Sequence, residues 1–485
     1  MMNRSKLYRL YCILLGVLVT AACKQRDEVP DDELEDLPSV TVAIDQNRTF
    51  QTIDGFGFFG AKDAWWRQDM WDSAWGDKVI SDLGMTIWRN EIYPPTDNSQ
   101  DTDWQKQRPV VAGLKAKADQ HNVDLKFVAT VWSPPADMKW AAQFAWAGDA
   151  DATRWEDPTM TTKNGGTLNP NKYDEYADYL NHHIQLYRDA GVDLYALSLQ
   201  NEPAFSQSFN SCAYTTQWYN DLLINVVPGI KQQFPDVQVF GAEHMLSMEG
   251  KEINWRWFYH SAIKASPAAA ANLDILAVHG YSDGVLPNSG SELVDMWKNH
   301  VVQFSDPMDK NVWMTETSGY AESWEAPEGK SGAFSLGLDI MTALVHGNIN
   351  GWIWWQGSEL DGIDEFNLMN GVAPGNKYHV SKHYYRFIRP GAVRVQATSS
   401  DDDVFVTAFK HDENGTMTVV LINAGGPKAV SLNGSGIPPG FEMYRTSEAT
   451  SENCALISQV DSGERGRFLL PARSIVTLQA GGNPL

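Results

Sequence analysis

LYALSLQNEP, residues 194–203, is an uncharged run that halts on Asn201, Glu202 and Pro203. Seven comparable β-branched or aromatic runs flank it: IDGFGFF from Ile53, MTIWRNEI from Met85, LKFVATVW from Leu125, VQVFGAE from Val237, LDILAVHGY from Leu273, NVWMTE from Asn311 and GWIWW from Gly351. Longer amphipathic stretches separate them. In one, Tyr173 to Ala190, residues Tyr176, Tyr179, Leu180, Ile184 and Tyr187 recur at helical spacing. Alternating strands and helices of this kind define an α/β protein with a parallel sheet, and eight repeats predict a (β/α)8 TIM barrel, whose chemistry sits on loops at the C-terminal ends of the strands.

After FIRPG, at residues 387–391, the pattern changes. VFVTAFK, MTVVLINA, FEMYRT and SIVTLQA are short alternating strands between Gly, Asn, Pro and Asp clusters, which predicts a C-terminal side β-sandwich over 392–485. The barrel is assigned to 39–391, with 39–52, containing SVTVAID, as a candidate strand of the sandwich.

The N-terminus is organised for export. Arg4, Lys6 and Arg9 precede a 12-residue apolar run, Tyr11 to Ala22, too short to span a bilayer as a helix. It ends in Thr20-Ala21-Ala22-Cys23, which resembles the lipobox of bacterial lipoproteins, although Thr20 stands where Leu is usual. Residues 1–23 therefore read as a lipoprotein-type signal with Cys23 as the lipidation site, and 24–38 as an acidic linker. The expected location is an outer-membrane or cell-surface lipoprotein, with periplasmic or secreted forms as alternatives. Cys212 and Cys454, alone in the mature body, have neither disulfide-scaffold density nor metal-ligand spacing and read as free thiols.

Composition narrows the function. With 61 acidic and 38 basic residues the 485-residue chain carries −23, which argues against a nucleic-acid partner. Its 19 Trp, 19 Phe and 17 Tyr suggest a ligand with flat apolar faces and a polar rim, as sugars have.

Glu202 and Glu316 stand at the ends of the fourth and seventh predicted strands. Hydrolysis of an acetal needs a proton for the leaving oxygen and a carboxylate across the sugar from it, so one pair of carboxyls can supply both. Pro203 favours an extended backbone at Glu202, and Asn201 is then able to reach a sugar 2-hydroxyl. A single strand-end glutamate is more often solvated or ion-paired; it is the two together that carry the reading. His279 reads as a hydrogen-bonded strand-end histidine rather than a base or metal ligand. Residues 55–60 formally satisfy GxGxxG, but no strand-end acid follows at the right distance and the aromatic side chains would crowd a pyrophosphate. The acidic loop DGIDEFN, 361–367, lacks calcium-loop spacing.

The ordered set GFG at Gly55, WSPPADMK at Trp132, SLQNEP, AVHGY, WMTE, GWIWW and HYYRFIRPG resembles glycoside hydrolase family 30 from about Ile53 to the C-terminus. The resemblance implies a barrel with a side sandwich and a retaining mechanism, with Glu202 as acid/base, Glu316 as nucleophile, and Arg89, Trp132, Asn201, Tyr281 and Trp355 around the bound sugar. Among branches, IDGFG, WSPPADMK, the Ser211-Cys212 pair and FIRPG are most similar to the bacterial endo-xylanases. That branch often binds glucuronic acid through an arginine in the loop after strand six; here that loop, SDGVLPNSGSELVDM, has no Arg or Lys. The expected activity is thus an endo-β-1,4-xylanase without strict need for glucuronic acid. Alternatives are an exo-acting β-glycosidase or a β-1,6-glycanase of the same family, and, from another class, an inactive surface glycan-binding lipoprotein. A polysaccharide or oligosaccharide is the expected partner, with membrane contact only through the lipid anchor, no cofactor, no metal, and a monomeric state.

Overall fold

The computed structural model describes residues 34–482 apart from 61–72, 93, 95–101, 141, 144–152, 155–164, 207–209, 251–257, 282–290, 327–330, 450 and 464–465. The signal segment, Cys23 and most of the acidic linker lie outside the described residues, as do positions 282–290 of the loop after the sixth barrel strand.

The first strand, β1 (Ser39–Thr52), precedes the barrel. The barrel strands are β2 (Gly55–Phe59), β3 (Ile87–Ile92), β4 (Lys126–Val131), β5 (Leu194–Ser198), β6 (Gln238–Met245), β7 (Ile275–His279), β8 (Asn311–Glu316) and β9 (Gly351–Trp354). They pair in sequence order, all parallel, and β9 closes the ring on β2. Because helices cover the outer face and side chains fill the inner one, the strands are apolar almost throughout: GFGFF in β2 and GWIW in β9 are buried at every position. The glycines of β2 serve this packing. A Cβ on Gly57 would stand 1.7 Å from the Ile87 carbonyl oxygen on β3, which explains the GxG spacing without any phosphate.

Inside the barrel the strand period of two sorts residues by height. Ile87, Val128, Ala196, Phe240, Ala277, Trp313 and Ile353 form an apolar plug. Two positions further along their strands lie Arg89, Thr130, Ser198, His279 and Trp355, which face the open C-terminal end. On the outer surface, the helix Tyr173–Asp189 buries the five periodic residues named above.

The C-terminal strands are β10 (Val393–Ser399), β11 (Val404–His411), β12 (Thr416–Asn423), β13 (Lys428–Ser435), β14 (Gly440–Thr446), β15 (Asn453–Asp461), β16 (Arg467–Leu470) and β17 (Ser474–Ala480). With β1 they make one nine-stranded ladder ordered β15-β14-β17-β12-β11-β10-β1-β13-β16. β1 runs parallel to β13 and antiparallel to β10, so residues 39–52 pair with the C-terminal strands and not with the barrel. Val42 of β1, Met443 of β14 and Phe468 of β16 share one apolar core, so the ladder curls over itself. Alternation decides which face meets the barrel: Val419 and Leu421 of β12 enter the ladder's own core, whereas Val420 and Ile422 join the barrel core. Cys212 and Cys454 are buried and form no disulfide.

Candidate active site

Eight strand ends converge at the open end of the barrel. Arg89, fully buried on β3, is the hub. Its Nη1 donates to Glu316 Oε2 at 2.7 Å, Nη2 donates to Glu243 Oε1 and Asn201 Oδ1 at 2.9 Å each, and Nε donates to Thr130 Oγ1 at 3.1 Å. Tyr281 donates its hydroxyl proton to the other Glu316 oxygen. Both oxygens of Glu316 therefore accept a hydrogen bond, the one from Arg89 being charge-assisted. Glu202 is met by His279, whose Nδ1 lies 3.0 Å from Oε1. The same histidine is 3.5 Å from Glu243 through Nε2 and 3.9 Å from Glu316 through Nδ1.

Electrostatics at His279 follows from this setting. Burial opposes its charge, but Glu316, Glu202 and Glu243 outweigh that cost and raise its pKa to about 9. It is an imidazolium at neutral pH, able to donate from both ring nitrogens. Glu243, fully buried, feels the opposite balance: desolvation disfavours its charge, yet Arg89 and His279 hold its pKa below the usual carboxylate value.

Strict alternation would point two of these carboxylates away from the centre. On β6 the register slips between Ala242 and His244, leaving Glu243 as the extra residue, with φ of 55°. On β8 it slips past Thr315, so that Glu316 aligns with His279. Each is a bulge that re-aims a side chain at the rim of the barrel. Glu202 departs from the extended backbone expected before a proline: its φ is 44°. The Phe205 amide donates to the Glu202 carbonyl at 2.9 Å, so a tight turn closes here and carries the carboxyl over the barrel mouth. A left-handed conformation at a bulky residue costs on the order of 1–3 kcal/mol and is held by surrounding structure.

Aromatic rings wall the site. Trp355 stacks on Phe59 with centroids 4.2 Å apart, Phe59 lies 5.4 Å from Trp132, and the Arg89 guanidinium stands 5.1 Å over the Trp132 ring. The WSPPADMK motif is fixed from below by Lys139, buried, whose Nζ donates to Ser133 Oγ at 2.7 Å and to the carbonyls of Gly165 and Ser211 at 2.9 Å. This ties the segment after Trp132 to the one containing Ser211 and Cys212.

All seven sugar-site residues named from sequence, Glu202, Glu316, Arg89, Trp132, Asn201, Tyr281 and Trp355, thus border one cleft. Sequence reasoning did not find Glu243, Thr130 or Phe59, and it placed His279 outside the chemistry. His279 is hydrogen-bonded at a strand end, as expected, but its partner is Glu202. The signal that could have found Glu243 is that it closes the apolar run VQVFGAE, as Glu316 closes NVWMTE.

Glu202, His279 and Glu316 also present three potential ligand atoms within 4.8 Å of one another, the only such group among the described residues. A divalent cation there would compete with the Arg89 guanidinium and the Tyr281 proton for Glu316 and with the His279 proton for Glu202. The donor set is already committed as an acid–base cluster.

A barrel whose rim carries paired carboxylates between aromatic walls defines a glycoside hydrolase. Residues 391–478 match the glycosyl hydrolase family 30 beta sandwich domain. The chain is 26% identical over 474 residues to glucuronoxylanase XynC of Bacillus subtilis (strain 168), covering 91% of this chain and 92% of that relative. Its fold matches a GH30 endoxylanase from Clostridium papyrosolvens C71 with a TM-score of 0.68 at 24% identity, covering 91% of this chain and all of that one. It also matches an endo-β-1,6-glucanase with a TM-score of 0.66 at 19% identity, covering 90% and 94%. Residues 391–478 thus carry a family 30 sandwich domain, and along nine-tenths of its length the chain is similar to enzymes of that family.

Proposed function

We propose that the enzyme is a retaining endo-β-1,4-xylanase that does not require glucuronic acid. The observation that carries the retaining part is the Glu202–Glu316 approach, with one oxygen of each carboxyl within 4.8 Å of the other. Retaining glycosidases hold their carboxyl groups about 5–5.5 Å apart, and inverting ones leave about 6.5–9.5 Å for a water. Glu316, charged and oriented by Arg89 and Tyr281, attacks the anomeric carbon. As the glycosidic C–O bond breaks, Glu202 gives its proton to the departing oxygen, and a glycosyl ester forms on Glu316. Glu202 then removes a proton from water, whose oxygen attacks the anomeric carbon and releases Glu316. His279, donating to Glu202, stabilises the carboxylate present between the two steps. Asn201, its oxygen held by Arg89, keeps its amide nitrogen for the sugar 2-hydroxyl.

For the substrate, the named activities of two relatives, a glucuronoxylanase and an endoxylanase, support xylan. Independence from glucuronate rests on the absence of Arg and Lys from residues 282–296 and on the net charge of −23, which repels uronates. The fold likeness to an endo-β-1,6-glucanase sustains a β-1,6-glycanase as the second reading. We further propose export and lipidation at Cys23, which metabolic labelling of wild type and Cys23→Ala with a fatty-acid probe would test.

Product chromatography on glucuronoxylan, neutral xylan, β-1,6-glucan and aryl glycosides tests the substrate. Activity on glucuronoxylan alone, or on β-1,6-glucan and not xylan, would overturn the xylan reading. Glu316→Gln assayed beside the wild type tests the site: lost turnover with retained binding is expected, and equal turnover would remove Glu316 from the reaction.

A further inference from the structure

Among the described residues only three aromatic side chains are exposed, Phe205 at 49%, Tyr281 at 41% and Phe366 at 39%. All three stand on loops at the open end of the barrel, after β5, β7 and β9 respectively. Random surface aromatics would also occur on the outer helices and on the C-terminal ladder. Tyr281 is accounted for by its bond to Glu316; Phe205 and Phe366 have no role in the chemistry above.

Their places in the ring are informative. β5 and β9 are the fourth and eighth strands of an eight-stranded barrel, so the two rings rise from opposite sides of its mouth. Phe205 follows Glu202 by three residues, fixed by the hydrogen bond its backbone N–H donates to the Glu202 carbonyl, while Ala204 beside it packs on the core. Phe366 is anchored as firmly. Its carbonyl accepts from Trp354 Nε1 and from the Gln356 amide, each at 2.6 Å, and its amide donates to Asp364 Oδ1 at 2.8 Å. The neighbouring Glu365 carbonyl accepts from Gly319 N at 3.0 Å, which ties this loop to the one following Glu316. The backbone on both sides is preorganised, leaving apolar ring faces in water. Rings held this way are ready to be covered without loss of backbone freedom, and pyranose rings offer matching apolar faces.

We propose that Phe205 and Phe366 are sugar platforms on opposite sides of the scissile bond, so that the enzyme binds its glycan along a groove and cuts internally. This rests on the assignment of Glu202 as acid/base. The sugar that leaves must have its oxygen at Glu202, which places it on the Phe205 side. The sugar that stays on Glu316 lies among Trp355, Trp132 and Tyr281, and the next sugar of the same chain extends towards Phe366.

The test uses hexasaccharides of β-1,4-xylan and of β-1,6-glucan, each fluorescently tagged at the reducing end, with the sizes of tagged products read by chromatography. Wild type is expected to release internal fragments from one of them. Phe205→Ala weakens the leaving side, so the chain shifts and tagged products shorten; Phe366→Ala weakens the other side and lengthens them. Each lowers kcat/KM on the order of threefold to tenfold, and the Trp variants at both positions restore the wild-type distribution. Leu456→Ala, exposed on the far ladder, is the control. Unchanged product sizes in both Ala variants, cleavage of neither hexasaccharide, or release of single sugars from the untagged end by the wild type, would overturn the platforms. Full turnover by Glu316→Gln would instead locate the failure in the catalytic assignment.

Discussion

Replacing His279 by Asn should remove a pH-dependent part of the enzyme's stability whose size follows from the site geometry. Buried among Glu202, Glu243 and Glu316, His279 binds its proton with a pKa of about 9 in the folded state against 6.5 for an ordinary histidine. A group whose pKa rises on folding contributes stability that is complete below the unfolded value and disappears as pH passes the folded one. Here that window runs from 6.5 to about 9. At about 1.4 kcal/mol per pH unit, the interval gives about 3 kcal/mol in favour of the wild type at pH 6 that is absent at pH 9.5.

Calorimetry or fluorescence melting of wild type and His279→Asn, in matched salt at both pH values, reads this difference. With an unfolding entropy of about 2.1 cal/mol/K per residue, 3 kcal/mol in a chain of this size moves Tm by about 3 °C. The gap between wild type and variant should therefore be wider by about that amount at pH 6 than at pH 9.5. Titrating groups outside this cluster shift both proteins alike and cancel. A gap that is the same at the two pH values, or wider at the alkaline one, would refute the assignment of a bound proton to His279.

Three further outcomes follow from the same cluster. Arg89→Met leaves the carboxylates of Glu243 and Glu316 buried without their cation, and should cost about 3–5 kcal/mol in melting experiments together with most of kcat. Glu243→Gln keeps the shape of the hub but removes a charge that holds the His279 proton; the alkaline limb of kcat/KM should move to lower pH by about one unit, and an unmoved profile would exclude this coupling. Lys139→Met strands the buried carbonyls of Gly165 and Ser211, with an expected loss of about 3 kcal/mol in denaturant titration and a higher KM as the Trp132 segment loosens.

Much of this architecture was legible because the barrel strands are buried on both faces and so begin as apolar runs that turn polar at their C-terminal ends, where the ends can be read directly. Glu202 and Glu316 stand at two such ends. The wiring between them was not legible, for two reasons of geometry. Inward or outward direction follows a period of two only while the register holds, and it slips at Glu243 and at Thr315 next to Glu316. The Glu202–His279 contact, moreover, joins residues 77 positions apart, and no local pattern names one from the other. The proline rule failed at Glu202 because the turn closed by Phe205 imposes a left-handed backbone that the local preference alone would avoid.

The charges of the cluster explain why a histidine belongs in it. With Glu202, Glu243 and Glu316 all ionised, the cations Arg89 and His279 leave one negative charge uncompensated in a largely dry site. Adding the single proton that a general acid must carry makes the whole set neutral, which is the state a low-dielectric interior favours. If His279 were neutral, the same three carboxylates would need two protons to reach neutrality, and the second would fall on a group the reaction needs ionised. A fixed imidazolium thus allows one mobile proton and one free nucleophile to coexist. On this reasoning a lysine at position 279, cationic but too long for the space, would keep the charge count while disturbing the geometry, whereas glutamine would keep the size and upset the count. Comparing the pH profiles of His279→Gln and His279→Lys separates the two contributions: a profile shift only in the glutamine variant is expected, and equal shifts in both would show that shape, not charge, is what His279 supplies.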